Sequence, residues 1–191
     1  MKFFHVGDLH LGKQLHGYDL IKDQEHMLEE LLSYIKKEQP DAVLIAGDIY
    51  DRAVPSGTAM QLLEQFFIQA DELAKEQKAV EIILIAGNHD AAKRLQYGSS
   101  FMKRHHIHIA VMPPQQEDAY LEQVTLTDQE GVVHFYLLPY TKPGMIRHWV
   151  EQEELANTQD AVKFLLEREQ IDWNERNVLL SHQFYLHTNE D

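Results

Sequence analysis

The chain has 191 residues, enough for one domain with a sizeable core, and its 44% hydrophobic and 25% charged residues are ordinary for a soluble globular protein. It contains no Cys, which excludes disulfides and thiolate metal sites, and its 17 basic and 31 acidic residues leave a net charge of −14. That balance argues against a broad basic surface for nucleic acid, but not against phosphate held through bound cations.

The first run, "KFFHV", reads as a short strand, which Gly7 and Asp8 cut too short for a signal peptide. Residues 23–39 carry Met27, Leu28, Leu31, Leu32 and Ile35 at helical spacing, and Pro40 stops them. "AVLIA" (42–46) is a buried strand run. The following "SGTAMQLLEQFFIQADELAKEQ" is helical, with Ser56 or Thr58 as N-cap. "VEIILIA" (80–86) is the third strand, and "AAKRLQYGSSFMKRH" is helical with a break near Gly98. "IHIAV" is strand-like, and "MPPQQED" (112–118) reads as an exposed loop. A hairpin turns at Asp128–Gly131, a helical pattern runs from about 145 to 169, and "NVLLSH" (177–182) is another buried strand run. Alternating βαβ units predict a mostly parallel sheet covered by helices, with antiparallel strands added by the hairpin. No stretch reaches transmembrane length. The expected location is the cytoplasm.

Polar, ionisable residues stand at the ends of the most hydrophobic runs. "GDLHLG" (7–12), "GDIYDR" (47–52) and "GNHD" (87–90) each follow a strand, and the last strand delivers His182. In open α/β sheets, functional groups gather beyond the carboxyl ends of parallel strands. Asp8, His10, Asp48, Asp51, Asn88, His89, Asp90 and His182 would then meet at one point. Carboxylates so close repel one another unless a cation sits among them. Ligation by oxygen and nitrogen without sulfur suits Mn²⁺, Zn²⁺ or Fe rather than Ca²⁺ or a structural zinc.

These motifs, in this order, resemble those of the calcineurin-like metallophosphoesterases. The stretches "GDLHLGKQLHG", "AGDIYDRAVPS" before a long helix, "LIAGNHD" before a Ser-rich stretch, and "VLLSHQF" are similar to the family's bacterial nuclease subunits. The resemblance implies a layered αββα sandwich with mixed sheets. It also implies two divalent metal ions, Mn²⁺ foremost, with Asp8 and His10 on the first, Asn88 and His182 on the second, and Asp48 bridging both. His89 would face the scissile phosphate and assist the leaving oxygen, Asp51 would orient His89, and Arg52 would contact phosphate. Asp90 would cap the next helix. The implied activity is a metal-dependent phosphodiesterase and DNA nuclease, exonuclease on duplex and endonuclease on single strands. It would act in DNA repair and recombination as a homodimer with an SbcC-type ATPase subunit, with no membrane partner. A calcineurin-like phosphatase or small-molecule phosphodiesterase would use the same metal core.

One departure from the family bears on activity. The family adds a later Gly-His-x-His motif, which is absent from residues 1–191; "YLHTNED" offers only His187. The chain is therefore expected to be an N-terminal fragment of the nuclease domain, without capping domain or partner-binding tail, and its isolated role could be that of a non-catalytic interaction module. Other histidines read structurally. His5 is expected to pack within the first strand and His16 to lie on a surface loop near the site. His105, His106 and His108 mark a helix end running into a strand rather than a metal cluster. Lys93, Arg94, Lys103 and Arg104 read as a solvated face or as contacts to DNA phosphates.

Overall fold

The computed structural model describes residues 1–76, 78–150 and 155–186. Strand β1 (Phe3–Val6) leads through a two-stranded hairpin, β2 (Gln14–Leu15) and β3 (Tyr18–Asp19), into helix α1 (Ile21–Glu38). Gln24, Leu28, Leu32 and Ile35 line one buried face of α1, at a spacing of about one turn. The helix ends where Gln39 takes a left-handed conformation (φ 45°), with Pro40 next.

Strand β4 (Ala42–Ala46) is buried at every position. Helix α2 (Gly57–Glu76) follows, and the Ser56 hydroxyl accepts from Ala59 N at 3.1 Å, so Ser56 rather than Thr58 is its N-cap. Strand β5 (Glu81–Ile85) leads to two short helices, α3 (Ala92–Leu95) and α4 (Ser99–Met102), separated at Gly98 (φ 76°) as the sequence predicts. Strand β6 (Ile107–Ala110) closes the first sheet, which has the order β1-β4-β5-β6 and is parallel throughout.

The second sheet is mixed. Strands β7 (Glu122–Asp128) and β8 (Gly131–Leu138) form the expected antiparallel hairpin, and β9 (Arg176–Ser181) lies parallel to β8 in register Leu138↔Ser181. The two sheets pack face to face through Leu44, Ile83 and Ile85 on one side and Val133, Phe135, Leu137 and Leu180 on the other. Helices α1 and α2 cover the outer face of the first sheet through Leu28, Leu32, Leu63 and Phe66. Helix α5 (Thr158–Glu167), begun by an Asn157–Asp160 capping box, covers the second through Ala161, Val162 and Leu165. The layers are therefore α, β, β, α, as the resemblance implies.

Several local expectations need correction. Strand β9 is not fully buried, with Leu179 40% exposed, and His5 on β1 is exposed rather than packed; both strands are sheet edges. The helical pattern expected over 145–169 resolves into a single 3₁₀ turn at Pro143–Met145 and α5, with 151–154 outside the described residues. In 112–118 only the last three residues are exposed. Pro113 and Pro114 are buried, and Pro114 O accepts from Trp149 Nε1 at 3.1 Å. Among the described residues, no helix is long and apolar enough to cross a membrane.

Candidate metal centre

Parallel pairing brings the ends of β1, β4 and β5 side by side, and β9 reaches the same point from the second sheet. Past the end of β1 the chain stays paired with the segment after β4: Asp8 N donates to Gly47 O at 3.2 Å, His10 N to Asp48 O at 2.9 Å and Leu11 N to Ile49 O at 2.9 Å. To turn the side chains inward, Asp8 (φ 55°), His10 (φ 44°) and Asp48 (φ 49°) all adopt the left-handed region. For residues other than Gly this conformation carries a steric cost, which the surrounding bonds must hold in place.

Asp48 lies at the centre and is only 3% exposed. Its Oδ1 accepts from His89 N at 2.9 Å. Its Oδ2 faces three imidazoles: His182 Nε2 at 3.5 Å, His10 Nε2 at 3.6 Å and His89 Nε2 at 4.0 Å. His10 Nε2 also lies 3.7 Å from Asp8 Oδ1. Two groups that could hold a metal ion therefore share Asp48, namely His10–Asp48–His89 and Asp8–Asp48–His182, with donor atoms within 4.8 Å of one another in each. Grouped by distance, Asp8 falls with His182 and His10 with His89, whereas the resemblance implies Asp8 with His10 and no metal on His89.

The tautomers follow from the partners. His182 Nδ1 lies 2.7 Å from Ala46 O, and His89 Nδ1 lies 2.8 Å from Asp51 O. A carbonyl only accepts, so each Nδ1 carries the hydrogen and each Nε2 turns toward the centre. In neutral His182 the Nε2 lone pair then faces Asn88 Oδ1 at 3.2 Å and Asp48 Oδ2 at 3.5 Å, three acceptors converging. Such a convergence calls for positive charge, either a proton or a shared cation. Donor atoms about 2.1 Å from one ion lie roughly 3.0–3.4 Å apart at 90–109°. The donor set fits a divalent ion with oxygen and nitrogen ligands. The 3.2 Å between His182 Nε2 and Asn88 Oδ1 lies within that spacing, and the 3.5–4.0 Å separations around Asp48 Oδ2 are somewhat wider.

Asp51 departs from the expected arrangement. It holds His89 through its main-chain carbonyl, while its carboxylate faces His10 Nδ1 at 3.5 Å and Arg52 Nε at 3.7 Å. Arg52 itself is exposed at the rim. Asp90 does not cap the next helix: α3 is preceded by Ala91 with no side-chain cap. Instead the Asp90 carboxylate accepts from Gly87 N (2.8 Å), Tyr50 N (3.0 Å) and Ile49 N (3.1 Å), tying the β4 and β5 loops together. Burial raises the Asp90 pKa above the usual range despite these bonds, and Asp48 adds to the rise. Neighbouring Tyr50 is pushed up to about 12, first by burial and then by Asp90 and Glu64.

Two glycines escaped the sequence reading. A Cβ on Gly47 (φ 80°) would lie 2.4 Å from His182 Nδ1, and one on Gly87 would lie 2.1 Å from Asp48 Oδ1. The signal was present, since a glycine precedes the ligand in both "GD" and "GN". His105, His106 and His108 lie away from the centre. His106 and His108 each pair with a Glu81 oxygen at 2.8 Å, and His105 pairs with Asp71. Burial raises the Glu81 pKa, but the bonds from His108 and His106 outweigh it and hold the group below its usual value. His16 is exposed on the β2–β3 hairpin, Lys93, Arg94, Lys103 and Arg104 are exposed, and His187 lies outside the described residues.

The family model for calcineurin-like phosphoesterase matches residues 1–186. The chain is 33% identical over 184 residues to the D subunit of nuclease SbcCD from Staphylococcus epidermidis, which covers 95% of this chain and 46% of the relative. It is likewise 33% identical over 184 residues to the protein of that name from Staphylococcus saprophyticus, with the same coverage. The chain thus spans about half the length of the curated relatives it matches.

Proposed function

The chain belongs to the calcineurin-like phosphoesterase family, and on that premise we propose that it carries the metal centre of a phosphodiesterase acting on DNA. The observation that carries this reading is the buried Asp48, whose Oδ2 faces three imidazole nitrogens at 3.5–4.0 Å. Asp8, His10 and Asp48 would hold one divalent ion and Asp48, Asn88 and His182 a second, with Mn²⁺ foremost. Bound there, two such ions supply the positive charge that neutralises a phosphodiester and acidifies a water molecule.

The chain's own groups do the rest. Asp48 sets the spacing of the two ligand sets because it belongs to both. The Asp51 carbonyl fixes the His89 tautomer, so Nε2 is the atom turned to the substrate. When protonated, Nε2 gives its proton to the sugar oxygen as the bond from phosphorus to that oxygen breaks, while the attacking water oxygen bonds to phosphorus and its proton passes to solvent. The exposed Arg52 would meet a non-bridging phosphate oxygen. The similarity to the SbcCD nuclease D subunits supports DNA as substrate and an SbcC-type ATPase as partner of the full-length protein; a homodimer and a cytoplasmic role in DNA repair and recombination belong to the same proposal. The 191 residues would then be the N-terminal part of the nuclease domain.

The test is calorimetric titration of the chain with Mn²⁺, followed by cleavage of an end-labelled duplex in millimolar Mn²⁺. A version extended through the next Gly-His-x-His serves as the active reference. Mn²⁺ binding that Asp48→Asn abolishes is expected, with faster cleavage by the extended version. Unchanged stoichiometry and affinity in the Asp48→Asn protein would overturn the shared-ligand reading. Activity on p-nitrophenyl phosphate with none on DNA would favour a phosphatase.

A further inference from the structure

We propose that Gln24 is a positioning residue for His10, acting through the main chain of the loop that carries it. The inference deepens the metal-centre reading and rests on it. Gln24 sits on α1 one turn before Leu28, on the face that otherwise buries apolar side chains, and is 9% exposed. Its side-chain amide is bonded to the loop at three places. Nε2 donates to Leu9 O at 3.1 Å and to His10 O at 2.8 Å, and Oε1 accepts from Gly12 N at 2.9 Å.

The loop needs such a clamp. Asp8, His10 and Gly12 alternate in the left-handed region, at φ 55°, 44° and 85°. Gly12 adopts this conformation freely, but His10 pays a steric cost there. The β4 loop secures one side by accepting from His10 N and Leu11 N. Gln24 secures the other side, taking the carbonyls of Leu9 and His10 and the Gly12 N–H. A buried amide that satisfies donors and acceptors together fixes peptide orientation, because any rotation leaves a polar group unpaired.

The three histidines at the centre differ in how their rings are held. His89 and His182 each place Nδ1 against a carbonyl, at 2.8 and 2.7 Å. His10 Nδ1 is buried and makes no hydrogen bond, and it faces Asp51 Oδ1 at 3.5 Å. With no hydrogen bond at Nδ1, the His10 ring, packed edge-on against His89 at 4.8 Å between centroids, takes its direction from its backbone, and Gln24 grips that backbone.

Two variants test the proposal. Gln24→Met removes all three bonds. Gln24→Glu is isosteric and keeps the acceptor for Gly12 N–H, but turns carboxylate oxygen toward the two carbonyls. Both are expected to weaken Mn²⁺ at the site containing His10 by about 10–100-fold, the usual effect of losing a group that orients a ligand. The site containing His182 should stay within about twofold. In the metal-free proteins the His10 ring carbon signal, assigned with His10→Gln, should move while that of His182 stays. Circular dichroism confirms that each variant is folded.

A fall in melting temperature with both the Mn²⁺ affinity and the His10 signal unchanged would make Gln24 a merely structural residue and overturn the proposal. If the wild-type chain bound no Mn²⁺, the metal-centre reading would fail, while the metal-free His10 signal would still decide whether Gln24 sets the ring.

Discussion

The Gly87→Ala variant puts one methyl group against the central carboxylate. The added Cβ would stand 2.1 Å from Asp48 Oδ1 and 2.2 Å from Asp48 N. Ordinary contact begins at 3.4 Å, so something must move by about 1.3 Å. The carboxylate cannot simply rotate away, because Oδ1 accepts from His89 N at 2.9 Å. The Asp48 nitrogen is backbone, seated in a loop that Asp90 ties to Gly87 itself. Forcing a methyl group into such packing costs about 1–3 kcal/mol. Losing a hydrogen bond to a charged acceptor adds roughly 1.5 kcal/mol. A total of about 2.5–4.5 kcal/mol lowers the melting temperature of a chain this size by roughly 5–18 °C. Metal ligands tolerate displacement of only about 0.2 Å, so Mn²⁺ affinity should fall at least about 100-fold. Gly144→Ala is the control, since its Cβ would meet nothing within 4 Å. Thermal melts and Mn²⁺ calorimetry on the three proteins decide the matter. If Gly87→Ala melted with the control and bound Mn²⁺ as the wild type does, the close approach of Gly87 would not be what fixes Asp48.

Three further outcomes are expected. His89→Ala should abolish cleavage by the extended protein while calorimetry still finds Mn²⁺ bound as in the wild type; loss of metal in this variant would make His89 a ligand. Asp128 is held well below its ordinary carboxylate pKa by Arg176 and then by the N-terminal amine. A depressed folded pKa means that this stabilisation is complete above the ordinary value of 3.8 and is lost as pH falls through the folded value. The melting temperature should therefore decline with acidification below about pH 4, and Arg176→Met should flatten that decline. Ser56→Ala removes the N-cap of α2 and should cost about 1 kcal/mol, a melting shift of roughly 2–4 °C.

The fold was most legible where one physical cause acted alone. β4 is buried on both faces, and its unbroken apolar run announces this. α1 ends where Pro40 forbids continuation. The readings that failed involve competition between an apolar pattern and its neighbours. Its place inside the strand "KFFHV" predicts that His5 packs, but the pairing order makes β1 an edge strand and exposes both Phe3 and His5. The pattern over 145–169 has helical periodicity, yet its buried residues Ile146, Val150 and Leu155 pack beside α5 from turns and loop rather than from one continuous helix. Pro113 and Pro114 look like loop punctuation, and they are, but Trp149, with Arg168 over its ring, bonds to Pro114 O, and both prolines are buried.

The candidate site was legible as a set of residues and illegible as a set of orientations. A ligand announces itself by residue type at the end of a strand, which is how Asp8, His10, Asp48, Asn88, His89 and His182 could be named together. What turns each toward the centre is carried by main-chain atoms, and main-chain atoms have no letter in a sequence. The Ala46 carbonyl behind His182 and the Asp51 carbonyl behind His89 belong to residues whose side chains do something else or nothing. For the same reason the sequence points to the Asp51 carboxylate, when it is the Asp51 carbonyl that holds His89. Asp90 illustrates the converse. A carboxylate just before a helix has an ordinary local use as a cap, and sequence reasoning takes the local option first. In the fold, three N–H groups from two loops reach it instead. The strained φ angles of Asp8, His10 and Asp48 require that kind of non-local restraint, because a loop free to relax would leave the left-handed region and take the ligands with it.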